Sequence, residues 1–104
     1  MNSDTVKKDK LYSWRGRIMV LYNIPKYYKA QEILIMCRQF GRIFRVDLAR
    51  DEFGKSRGFA YCEFERQDTA RMAVKYLDGG ECDGRSLRAE LAELPPNELV
   101  KMYV

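Results

Sequence analysis

Apolar residues fall along this chain in two alternating rhythms. Ile18-Met19-Val20-Leu21-Tyr22 is continuous and rich in strand formers, and Asn23-Ile24-Pro25 stops it, which predicts a buried strand. Ile33, Met36, Cys37 and Phe40 then recur at i, i+3, i+4 and i+7, with Ala30 a turn earlier. One face of a helix is therefore apolar, and Gly41 ends it. Residues 43–49, IFRVDLA, have strand character, with Ile43, Val46 and Leu48 directed inward. Residues 50–58, RDEFGKSRG, are a polar connection whose Gly54 suits a tight turn. Residues 58–64 form a third strand. Ala70, Ala73, Val74 and Leu77 repeat the helical spacing, and Asp78-Gly79-Gly80 ends that helix. Residues 85–91, RSLRAEL, make the last strand, with Leu87, Ala89 and Leu91 on one side.

The order is β-α-β-β-α-β, a split-βαβ (ferredoxin-like) arrangement of the α+β class. Each amphipathic helix needs a sheet face to cover, and two helices of this length match one face of four strands. The other face is expected to be open. Alternation in the third strand turns Gly58, Ala60, Cys62 and Phe64 towards the helices. It turns Arg57, Phe59, Tyr61 and Glu63 towards the open face. Aromatic rings left there expose apolar area at a cost in free energy, so they call for a ligand or for a cover from the same chain.

Residues 15–93 read as one domain, and 104 residues are too few for two. Residues 1–14 read as a flexible basic tail carrying Lys7, Lys8 and Lys10. Residues 94–104 read as an extension with a short helix capped by Asn97. Leu99, Met102 and Tyr103 in that extension are candidates to lie over Phe59 and Tyr61. No apolar run approaches the roughly 18 to 20 residues that span a bilayer, and no leader-like apolar segment is seen, so no membrane partner is expected.

Charge and chemistry narrow the function. The net charge of +4 favours a polyanionic partner, weakly by itself. Three cysteines, Cys37, Cys62 and Cys82, are an odd number without CxxC spacing. They read as buried free thiols of a reducing compartment rather than as disulfides or a zinc site. The chain has no histidine, which removes the usual general base and the commonest metal ligand. With no nucleophile–base spacing and no P-loop, the reading is not an enzyme, with no metal or cofactor.

Arg57-Gly58-Phe59-Ala60-Tyr61-Cys62-Glu63-Phe64 matches the octamer of the RNA-recognition motif (RRM) family, K/R-G-F/Y-G/A-F-V-x-F/Y, with Cys62 in the aliphatic position. Met19-Val20-Leu21-Tyr22-Asn23-Ile24 resembles the partner hexamer. Phe40-Gly41 after the first helix and Asp83-Gly84-Arg85-Ser86-Leu87 before the last strand agree as well. The resemblance covers about residues 17 to 92. It implies a four-stranded antiparallel sheet with two helices on one face, and single-stranded RNA lying across the other.

The resemblance also assigns roles. Phe59 and Tyr61 match the base-stacking positions, and Arg57 the phosphate-pairing one; Lys55 adds a candidate phosphate contact. Val20 stands where the hexamer usually has a stacking aromatic, which removes a platform. Tyr22 faces the same side by alternation and is a candidate displaced platform. Asp47, Arg88 and Glu90 are expected on the same face, Arg88 as a candidate RNA contact. Tyr27 and Tyr28 are read as locally packed, and Trp14 as packed on the domain edge.

A different use of the same fold is a protein interface on the outer helix faces. Ile35, Met72 and Tyr76 point away from the core sets and mark it. The U2AF-homology type of protein-binding RRM is excluded, because its Arg-x-Phe reads Arg85-Ser86-Leu87 here and the first helix holds only one acid, Glu32. The segment 79–84 and the non-aromatic Val20 are similar to the splicing-activator and Aly-type mRNA-export-adaptor groups. No Arg-Ser-rich or Arg-Gly-rich stretch accompanies them. The expectation is a nuclear RNA-binding domain of mRNA processing, with a cytoplasmic site as the alternative, and with a protein partner in such a complex.

Overall fold

The computed structural model describes residues 14–93. Residues 1–13 of the expected tail and all of 94–104, including the suggested cover by Leu99, Met102 and Tyr103, lie outside the described residues. The elements are β1 (Ile18–Tyr22), α1 (Ala30–Arg38), β2 (Ile43–Arg50), β3 (Ser56–Phe64), α2 (Gln67–Leu77), β4 (Glu81–Cys82), β5 (Arg85–Ser86) and β6 (Arg88–Leu91). Four strands form one antiparallel sheet in the order β2-β3-β1-β6. No helix among the described residues is long and apolar enough to cross a membrane.

The core lies between this sheet and the two helices. Met19 and Leu21 of β1, Ala60, Cys62 and Phe64 of β3, Leu48 of β2 and Ala89 of β6 meet Ile33 and Cys37 of α1 and Ala70, Ala73 and Leu77 of α2. Each large apolar side chain buried here contributes on the order of 1.5 to 3 kcal/mol. The alanines of α2 let that helix sit close to the sheet. Cys37 and Cys62 are buried and Cys82 is only half-buried, so one of the three thiols departs from the expected core placement. A hydrogen bond with the Cys37 thiol, together with burial, keeps the Cys62 thiol protonated.

Two irregularities shape the sheet. Ile43 pairs with Phe64 but Arg45 pairs with Glu63, so Phe44 is an extra residue in β2. This bulge lets Ile43 and Val46 both pack on the core although strict alternation would separate them. The second irregularity is at Gly58, with φ of +84°. Its carbonyl accepts the Ile24 amide at 2.9 Å, and a Cβ there would lie 3.3 Å from the Ile24 oxygen. Only glycine meets both demands without strain.

The expected last strand, residues 85–91, is divided. Arg85–Ser86 pairs with Glu81–Cys82 in a separate two-stranded ladder. Asp83 and Gly84, both at positive φ, make its two-residue turn. Leu87 exchanges backbone hydrogen bonds of 2.7 Å with Gly79 and Gly80 at the end of α2. Only Arg88–Leu91 then joins β1.

Candidate nucleic-acid interface

The sheet face away from the helices is not bare. Ile18, Val20 and Tyr61 form a second small cluster, with Trp14, Tyr22 and Ala92 packed against it. Phe59 and Tyr61, expected to be solvent-facing, are only 8% and 9% exposed. Neighbouring side chains explain part of this. The Tyr22 ring lies 6.3 Å from Phe59 at 30°, a stacked pair, and the Arg45 guanidinium lies 5.7 Å from the centre of the Tyr61 ring. Trp14 therefore packs on the sheet face and not on the domain edge; the chain entering β1 passes over this side.

Charged groups frame the rings. At the Tyr61 end, Glu63 accepts from Arg17 at 2.9 Å and lies 3.8 Å from Arg45, which also lies 3.5 Å from Asp47. Burial, followed by the charge and hydrogen bond of Asp47, raises the Tyr61 hydroxyl above its ordinary pKa, so it is a neutral donor at physiological pH. At the Phe59 end, Tyr22 donates to Glu90 at 2.8 Å, Arg88 pairs with Glu90 at 3.2 Å, and the Arg88 guanidinium lies 5.6 Å from the Tyr22 ring centre. The face thus presents two aromatic platforms, each lined by a polarised ring or a guanidinium. That arrangement holds planar, π-bearing groups and anions rather than apolar ligands.

A model of the RNA recognition motif matches residues 20–88. The chain belongs to the RNA recognition motif family. Membership makes it an RNA-binding domain and not an enzyme. The serine/arginine-rich splicing factor SC35 of Arabidopsis thaliana is 32% identical over 80 residues, which are 76% of this chain and 26% of that protein. The human cleavage stimulation factor subunit 2 tau variant is 31% identical over 83 residues, 79% of this chain and 14% of that protein. The chain therefore corresponds to a minor part of each. Among solved structures, the RRM of RNA15 superposes with a TM-score of 0.72 at 26% identity, covering 82% of this chain and 95% of that one.

In this RRM the candidate residues separate into groups. Phe59, Tyr61, Tyr22 and Arg88 come together on one face, across β3, β1 and β6. Val20 lies on the same face but is 1% exposed, packed between its strand neighbours Tyr61 and Glu90. It is a core position of the second cluster and not an exposed site that lacks a platform. Arg57 and Lys55 are exposed, but the alternation linking Arg57 to Phe59 breaks at Gly58, where β3 holds extra residues against β2. Tyr27 donates to Asp83 and meets the Tyr28 ring edge-on at 5.4 Å, and Tyr28 contacts Cys82, so both tyrosines pack locally. Ile35, Met72 and Tyr76 are exposed on the helices, as the periodicity requires.

Two contributors escaped the sequence reading. Alternation from Ile43 turns Arg45 inward and alternation from Val46 turns it outward; the bulge at Phe44 settles it on the sheet face away from the helices. Arg17 precedes the apolar run and reads as a boundary residue, yet its side chain is buried against Glu63 and the Phe64 carbonyl. The signal for both was present but indirect: Asp47 and Glu63 at that end of the face need cations.

Proposed function

We propose that this RRM binds single-stranded RNA across the face that carries Phe59 and Tyr61, as part of mRNA processing. The observation behind the reading is the pairing of the two octamer rings on one sheet face, each lined by a side chain of the kind a base replaces. A base stacked on Phe59 or Tyr61 is worth on the order of 1 to 3 kcal/mol. It displaces a ring pair worth about 0.5 to 1.5 kcal/mol at Phe59. At Tyr61 it displaces a cation–π contact worth about 0.5 to 1 kcal/mol. The net gain per base is small, so affinity is modest and sequence tolerance broad. Arg57 and Lys55 supply phosphate contacts, and Arg88 swings from Tyr22 to the RNA backbone. The names of the splicing and cleavage-factor relatives support a role in mRNA processing, and hence a nuclear site of action.

The test is an amide NMR titration of the labelled domain with a pool of short random single-stranded RNAs, repeated for Phe59→Ala and Tyr61→Ala. Shifts centred on β3 and β1, with weakened binding in both variants, are expected. Unchanged affinity in both variants would refute the stacking mechanism. Neutralising Arg57 should flatten the salt dependence by up to about 0.7 of a unit in slope, the single-strand value per phosphate.

A second reading is favoured by the helix side. Tyr76 is 70% and Ile35 65% exposed, and Tyr76 lies 5.9 Å from the Phe40 ring with the exposed Met72 one turn before it. A protein partner in a ribonucleoprotein assembly would bury these side chains. If RNA leaves the sheet unshifted at near-millimolar concentration, this face becomes the functional one.

A further inference from the structure

The hairpin that joins β2 to β3 carries an aromatic ring that the sheet face does not use. Phe53 is 78% exposed, more than any other large apolar side chain among the described residues. The other exposed rings have neighbours: Tyr27 has Tyr28, Phe44 has Arg17, and Tyr76 has Phe40. No ring or guanidinium among the described residues is stacked on Phe53.

The loop that displays Phe53 is closely tied. Asp51 accepts the amides of Phe53 and Lys55 through one carboxylate oxygen, each at 2.9 Å. The Asp51 amide donates to the Lys55 carbonyl at 2.8 Å and Gly54 donates to the Asp51 carbonyl at 3.0 Å. Arg50 donates to the Gly54 carbonyl at 3.3 Å. Five hydrogen bonds therefore tie five residues, so the backbone that carries the ring is ordered before a ligand arrives.

Charge favours one kind of ligand. Arg50, Lys55 and Arg57 are exposed on the two sides of the tip. The Asp51 carboxylate is turned into the loop backbone, which leaves Glu52 as the acid facing solvent there. An exposed aromatic flanked by cations matches an unpaired base and its phosphate. The connection 51–55 leads directly into β3 at Ser56, three residues before Phe59. The tip thus stands at the end of β3 that leads into Phe59, where an RNA strand that crosses Phe59 would continue.

We propose that Phe53 is an additional base-stacking site, which takes an unpaired nucleotide of an RNA strand running past the Phe59 end of the sheet. The proposal rests on the RNA reading of the sheet, and the experiment separates the two. Affinities are measured by fluorescence anisotropy for random single-stranded RNA pools of four and of twelve nucleotides. The shorter covers the two or three bases that a sheet of this kind stacks. Phe53→Ala leaves the four-nucleotide affinity unchanged and weakens the twelve-nucleotide affinity about five- to tenfold, the low end of a single stacked base. Phe53→Trp restores it. Phe59→Ala weakens both lengths. An unchanged twelve-nucleotide affinity in Phe53→Ala overturns the proposal, as does equal weakening at both lengths, which marks a role in the sheet site instead. If Phe59→Ala changes neither length while Phe53→Ala weakens the longer, the tip site stands and the sheet reading falls. If the unaltered domain binds neither pool, both fall.

Discussion

Arg17 donates to Glu63 across 2.9 Å with both side chains largely withdrawn from water, at 7% and 17% exposure. The same guanidinium nitrogen also donates to the Phe64 carbonyl at 3.1 Å. The pair joins the chain entering β1 to the end of β3, at the Tyr61 edge of the sheet face away from the helices. Removing one partner of a fully buried pair costs about 3 to 5 kcal/mol because the other charge is left unmatched. Here Arg45 remains near Glu63 and some solvent reaches the carboxylate, so Arg17→Met should cost less, about 2 kcal/mol. Arg17→Met combined with Glu63→Leu should recover most of that loss. Urea unfolding of the single and the double variant checks this, and a single-variant cost below about 0.5 kcal/mol would mean the pair acts as a surface one.

Val20 gives a second prediction, which opposes the reading from sequence. If the position merely lacks a platform, Val20→Phe should tighten RNA binding. It is instead packed among Ile18, Tyr61 and the β6 side chains. Overpacking a filled site costs about 1 to 3 kcal/mol, so the variant should be less stable and bind RNA no better. Thermal unfolding and RNA titration of one sample decide it; tighter binding at unchanged stability would restore the platform view.

Gly58 is a third case. Its φ of +84° and the 3.3 Å approach of the Ile24 oxygen leave no comfortable place for a side chain. Gly58→Ala should lower stability by about 1 to 3 kcal/mol, the cost of holding an L residue in that region. It should also disturb the Ile24 amide in NMR spectra. A neutral substitution would show that the strand relaxes around the new methyl.

The Phe53 loop should have a definite pH dependence. Backbone hydrogen bonds from Lys55 and Phe53 hold the Asp51 carboxyl below its ordinary pKa. A group depressed in the folded state stabilises above its unfolded pKa, near 4, and loses that contribution as pH falls through the folded value. Protection and chemical shifts of the Phe53 and Lys55 amides should therefore be flat from neutral pH down to about 4 and change only in stronger acid. A transition between pH 5 and 7 would mean that Asp51 does not organise the loop. Asp51→Asn should loosen the tip at all pH values.

Much of the fold was legible because its signals are local. The helical period of Ile33, Cys37, Ala70, Ala73 and Leu77 fixes which face each helix buries, and Gly41 and Asp78-Gly79-Gly80 fix where the helices stop. Alternation in β3 correctly sends Ala60, Cys62 and Phe64 to the core, because a strand period of two leaves no other choice. The octamer brought Phe59 and Tyr61 to attention for the same reason.

What the sequence could not give depends on contacts between distant segments. Register is one: the bulges at Phe44 and Gly58 shift alternation partway along β2 and β3, setting Arg45 beside Tyr61 on the face away from the helices and detaching Arg57 from Phe59's parity. Burial is another. The face opposite the helices reads as open from its pattern, but Trp14 and Ala92 are carried onto it by the strands they flank. The last strand divides because Leu87 is tied to the end of α2, a pairing that residues 85–91 alone do not encode. The sequence by itself determined the element types, the helix-facing core and the family, since these follow from periodicity and short motifs. Only the tertiary structure decided which side chains line Phe59 and Tyr61, because that depends on which strands become neighbours and in what register.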